Sequence, residues 1–94
     1  MRRADLLMKA KDIVTQDREG AYGGPEDGFE RIGKMWGAYL NRPPIGAAHV
    51  AAMLALLKIS RLAASDARHM DSWIDLAGYA ACGAECVDPE PPPP

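Results

Sequence analysis

At 94 residues, with a formal net charge of −2 and a pI near 5.6, the chain has room for one domain and carries no broad basic field. That balance argues against DNA or RNA binding through phosphate neutralisation. A chain this short buries only about 60 % of its unfolded surface, a marginal core without a staple or a partner subunit.

The apolar share of 48 % comes mainly from Ala, Leu and Met and includes few aromatics, so the expected class is all-α. From Ala4 to Gln16, the residues Leu6, Leu7, Ala10, Ile13 and Val14 recur at helical spacing, which predicts a first amphipathic helix. The following DREGAYGGPEDGF contains Gly20, Gly23 and Gly24 before Pro25, a pattern that ends one helix and starts another with proline in its first turn. Glu26 and Asp27 then lie where carboxylates favour the positive end of the helix dipole. Phe29, Ile32, Trp36, Tyr39 and Leu40 share one face of the second helix, which the Arg42-Pro43-Pro44 run is expected to stop.

The third helix, Ile45 to Ala64, is apolar nearly all round and belongs in the centre of a bundle or in a subunit interface. Its longest apolar stretch, Val50 to Leu57, falls short of the roughly twenty residues of a membrane span, so no membrane association is expected. Ser65 and Asp66 compete with helical backbone bonds and predict a turn, although no Gly or Pro marks it. The fourth helix, from about Asp71 to Cys86, sets Trp73, Leu76, Ala77, Ala80 and Ala84 on one side and Asp71, Asp75, Gly78, Cys82 and Glu85 on the other. Residues 1–86 thus form one bundle of about four helices, expected to be oligomeric, and 87–94 a polyproline-type tail. With no secretory-signal pattern, Cys82 and Cys86 are expected as thiols in a reducing cytoplasm, and one helical turn is a poor spacing for an unstrained disulfide.

Four charges carry the functional signal. Lys58 and Arg61 share one face of the third helix, and Asp71 and Asp75 share one face of the fourth. Neither cation has an acid three or four places away on its own helix, so the counter-charge comes from another helix, another chain or a ligand. A short connection folds the fourth helix back antiparallel, so a structural salt bridge accounts for the quartet as well as a ligand does. Incomplete neutralisation leaves Lys58 and Arg61 for phosphate oxygens and the carboxylates for Mg²⁺. Gly78 costs a helix about 1 kcal/mol relative to Ala, which implies close approach of a neighbouring helix or of a ligand. His69 with Asp71 or Asp75 is too small a set for zinc, and Cys82 has no base beside it in the sequence.

The order DREGAYGGPEDGFERIGKMW, LLKISRL and HMDSWIDLAGYAACGAE, spanning about Leu6 to Glu85, resembles a family of small helical domains of unknown function common in bacteriophage and prophage genomes. Its specific portion is Lys58-x-x-Arg61 with Asp71-Ser72-x-x-Asp75-x-Ala77-Gly78-Tyr79. Similar helix signatures occur in a phage domain associated with nucleotide modification and, more distantly, in MazG-like all-α nucleoside triphosphate pyrophosphohydrolases. The latter link implies a bundle that assembles as dimers or tetramers, binds nucleotide phosphates through Mg²⁺ and cleaves between the α and β phosphates. Those enzymes gather four acids on two helices. This chain has Asp71 and Asp75 alone, with Lys58 and Arg61 on the helix where further carboxylates belong, so binding is better supported than hydrolysis.

The expectation is therefore a nucleotide-handling protein of the infected cytoplasm. Arg18, Lys58 and Arg61 contact phosphates, Tyr22 or Tyr79 stacks on a base, and Asp71 and Asp75 hold Mg²⁺ and serve as the catalytic acids if there is turnover. Two alternatives stand beside the pyrophosphohydrolase: a non-catalytic sponge that sequesters a host cyclic or other signalling nucleotide, and a structural, protein-binding module in which the quartet is internal glue.

Overall fold

The computed structural model describes residues 1–16 and 24–89. Among them four helices occur and no strand: α1 (Arg3–Val14), α2 (Pro25–Tyr39), α3 (Ala47–Ala64) and α4 (Met70–Val87). The predicted all-α class and the predicted breaks agree with this within a few residues at each end.

Local chemistry explains each boundary. In α1 the backbone N–H of Arg2 donates to the Asp5 carboxylate at 3.2 Å, and the Thr15 hydroxyl closes the far end by donating to the Lys11 carbonyl at 2.6 Å. Pro25 occupies the first turn of α2, followed by Glu26 and Asp27 at the dipole's positive end. The stop of α2 comes before the prolines. Asn41 adopts a left-handed φ of 55°, and the N–H of Arg42 reaches back to the Gly37 carbonyl at 2.9 Å. The α3–α4 turn uses the same device at Asp66 and Ala67, both at positive φ, with the Ala67 N–H donating to Leu62 at 2.8 Å. Ser65 and Trp73 pin this turn. The Ser65 hydroxyl accepts the His69 N–H at 3.2 Å, and the Trp73 indole donates to the Ala67 carbonyl at 2.9 Å.

The antiparallel α3–α4 hairpin is the centre of the fold. At Gly83 the helices approach so closely that an added Cβ would stand 3.1 Å from the Ala51 methyl. α2 packs chiefly on α3, through Phe29, Val50 and Ala51 with Ile32, Trp36 and Leu54 around them, and α1 packs on α4. Gly33 and Gly37 let the chain return tightly after α2: a Cβ on Gly33 would collide with the Ile45 carbonyl, and one on Gly37 would lie 2.8 Å from the Pro43 carbonyl.

The packing is one-sided. On α4, Ser72, Ile74 and Gly78 are buried, whereas the apolar Trp73, Ala80 and Ala84 face outward. Only Val50, Ala51 and Leu62 of the eighteen residues of α3 are buried. By length and composition alone α3 is long and apolar enough to cross a membrane, with a mean hydropathy of 1.4, a test that the core helix of a soluble bundle also passes. Lys58, inside that helix, is tied to α4 by the ion pair described below.

The glycines give a paired stability test. No described atom lies within 4 Å of a Cβ added at Gly28, so Gly28→Ala should stabilise the fold by about 0.5–1 kcal/mol through helix propensity. Gly33→Ala, which drives a methyl into the Ile45 carbonyl, should destabilise by more than about 2 kcal/mol. Urea unfolding of the two variants beside the parent protein measures both signs.

Candidate functional site

The hairpin that brings α3 against α4 also brings Lys58 to Asp75. The Lys58 ammonium sits 2.9 Å from the Asp75 carboxylate, with side-chain exposures of 14 % and 37 %. The aliphatic stem of Lys58 is thus covered while its head meets an acid at the edge of the protein, an arrangement long cationic side chains adopt readily. The expected cross-helix pairing forms for these two residues.

It does not form for the other two. Arg61 and Asp71 are exposed, and among the described residues neither makes an ion pair. Asp71 occupies the first turn of α4, where a carboxylate suits the dipole. Among the described residues the quartet is therefore half closed, with one neutralised pair and one cation without an acid partner a helical turn further along α3.

Behind Asp75 lies a cavity of about 150 Å³ between α1, α2 and α4. Ala10, Ile13 and Val14 form one wall, Phe29 and Ile74 another, and Asp75, Gly78, Tyr79 and Cys82 of α4 complete it. A dry cavity of this size holds one aromatic ring. Tyr79 and Phe29 stand with ring centroids 6.3 Å apart and tilted by 48°. Gly78 serves helix packing and cavity together: an added Cβ would stand 3.2 Å from the Val14 side chain, and the residue lines the space.

Arg18 and Tyr22, expected as phosphate and base contacts, lie outside the described residues. Ser72, which the sequence marks only as part of the motif carrying the resemblance, is fully buried, and its hydroxyl lies 2.6 Å from Nδ1 of His69, the N-cap of α4. The visible signal was a His three positions before a Ser at a helix start. The contact fixes the first turn of α4, on which Asp71 and Asp75 are mounted. No group of three or more His, Cys, Asp or Glu side chains among the described residues could hold a metal ion. Asp71 and the remaining capacity of Asp75 are too few for a metal centre held by the protein alone.

Cys82 and Cys86 are both thiols. Burial first, then the negative charges of Glu26, Glu85 and Glu30, push the Cys86 thiol above its ordinary value of 9.0. The unfolded chain therefore loses this proton before the folded one, and the contribution of Cys86 makes stability fall as pH rises above 9.0. In a Cys82→Ala background, iodoacetamide labelling of Cys86 should reach half its maximal rate above pH 9.0 in the folded protein and at lower pH in urea.

The ion pair gives a second test. Asp75→Asn leaves a largely covered ammonium without its partner and should cost about 1–2 kcal/mol, discounted because Asp75 is partly solvated. Lys58→Met keeps the packing, removes the charge that needs pairing, and should cost less. Denaturant midpoints of the two variants check the order.

The chain matches the family model of DUF6378, a domain of unknown function, over residues 5–87. It is 37 % identical over 75 residues to the Gene 55 protein of Mycobacterium phage L5, an overlap covering 80 % of this chain and 47 % of that protein. It is 34 % identical over 77 residues to the Gene 55 protein of Mycobacterium phage D29, covering 82 % and 50 %. The chain thus spans about half the length of these phage relatives. No solved structure matches it significantly. The matched region takes in all four helices with the Lys58–Asp75 pair and the cavity behind it, and the chain belongs to the DUF6378 family.

Proposed function

We propose that the protein binds a nucleotide or nucleotide-derived phosphoester, with an aromatic base in the cavity beside Tyr79 and Phe29 and the phosphate at Arg61 and the Lys58–Asp75 rim. One observation carries this reading: a ring-sized apolar cavity is lined by Asp75, whose ion-pair partner Lys58 lies one helical turn from an exposed guanidinium, Arg61, with no acid partner among the described residues. An exposed guanidinium one turn from that ion pair suits a planar, bidentate oxyanion such as phosphate.

Sequestration without turnover fits better than pyrophosphate cleavage. Asp75 is engaged by Lys58, and Asp71 alone leaves too few carboxylates to hold Mg²⁺ and activate water. In this reading Mg²⁺ arrives with the phosphates, and the MazG-like likeness extends to the helical scaffold rather than to the reaction. The protein acts as an oligomer in the host cytoplasm, as a sink for a host nucleotide signal. Arg18 and Tyr22 are the further ligand contacts.

The test follows thermal shift and phosphate release together, with Mg²⁺ and panels of nucleoside triphosphates and cyclic dinucleotides. A stabilisation of several degrees with the ligand recovered intact, abolished by Arg61→Ala, is the expected result. At a hundredfold excess over Kd the stabilisation amounts to about 2.7 kcal/mol. Phosphate or pyrophosphate release supports the hydrolase instead, and silence in both channels overturns the proposal.

A further inference from the structure

The α3–α4 hairpin has two sides, and α1 and α2 cover only one. Along the other side run two shallow grooves of about 300 and 540 Å³. The first lies between Ala48, Ala52 and Ala55 of α3 and Ala80, Ala84 and Val87 of α4. The second continues at the opposite end of the hairpin between Ile59 and Ala63 of α3 and Trp73 and Leu76 of α4. No charged residue of either helix lines the grooves, and Asp66 in the turn is the one charge at their edge.

We infer that this bare side is a homodimer interface, occupied by the same side of a second copy so that two hairpins form a four-helix core. Three features favour a second copy. First, a surface without charge can face itself across a two-fold axis without repulsion, as an isologous contact requires. Second, the area suffices: two helices of eighteen residues, about 27 Å long with axes 8–10 Å apart, present roughly 500 Å² in projection. Two such faces bury at least about 1,000 Å², the threshold of a specific interface.

Third, the core of the protomer is small. Among the described residues only Ala10, Phe29, Val50, Ala51, Leu62 and Ile74 are buried apolar side chains. Leu56 is 62 % exposed and Val87 73 % exposed. A second copy supplies the missing layer. A bilayer is a poorer occupant, since alanine and glycine transfer little apolar area into lipid but allow helix backbones to approach closely.

The inference stands apart from the nucleotide reading but touches its site. Tyr79 lines both the ligand cavity and the first groove, so a partner seated in the groove also holds the ring against the cavity.

Sedimentation of the full chain at micromolar concentration tests the interface. The expected mass is twice the chain's 10.1 kDa. Ala52→Glu and Ala84→Glu alter exposed positions on the bare side and should each weaken dimerisation at least tenfold with unchanged helical circular dichroism, whereas Met35→Glu on α2 should leave the dimer intact. Ala52→Cys, close in size to the native residue, reads the same face without a charge: maleimide should label it several-fold more slowly in concentrated than in dilute protein. A helical monomer throughout the range, dimers that survive both glutamates, or concentration-independent labelling overturns the inference. So does flotation with neutral phosphatidylcholine vesicles in place of dimerisation.

Discussion

The structure depends on the close approach of α3 and α4. Gly83 admits the Ala51 methyl at one end of the hairpin, and the doubled left-handed turn at Asp66 and Ala67 reverses the chain at the other. Between these ends the Lys58–Asp75 pair joins the two helices. Everything else docks on that hairpin. α2 packs on it through Phe29, held by the glycine-lined return at Gly33 and Gly37, and α1 reaches α4 through Val14 over Gly78. A cation and an acid drawn together by helix packing lose part of their hydration, and their attraction offsets that loss only because Asp75 remains partly in water.

Site and interface follow from this one-sidedness. Where α1 and α2 meet α4 they do not close completely, leaving a ring-sized space beside Tyr79 and behind Asp75. Where no other described element meets the hairpin, apolar and small side chains remain uncovered over both helices. A thin layer of helices cannot bury both faces of its central pair, so apolar surface displaced from one face appears on the other. Tyr79 lies where the two consequences meet, which gives the proposed ligand site a route to the proposed second subunit.

Much of the local organisation was legible in the residues. Proline at the start of α2, acids in its first turn and Ser65-Asp66 at the α3–α4 break all act over a few bonds, where backbone chemistry alone sets the outcome. The pairing of the quartet was legible only in part. The spacing showed that Lys58 and Arg61 need partners off their own helix, but a one-turn difference along α3 separates a paired ammonium from a solvent-exposed guanidinium. That difference depends on the register of two helices. The Arg42-Pro43-Pro44 run marks the end of α2 within a few residues, whereas the left-handed Asn41 that closes it two residues before the prolines is a weaker sequence signal. Ser72 stands in the motif without a legible role, because its burial comes from packing, while its contact with His69 is local.

Helical period and capping are properties of neighbouring residues, so four helices, their ends, and the grouping of Lys58 with Arg61 and of Asp71 with Asp75 could be read from the residues in order. Which face of α4 turns inward is set by packing between distant segments. Period alone distinguishes the Trp73–Ala84 face from the Asp75–Cys82 face without ranking them for burial, and it is the docking of α1 over Gly78 that turns the second inward. That choice creates the cavity and leaves the first face bare, since contact between distant segments, unlike helix formation, depends on which surfaces can approach closely enough to exclude water.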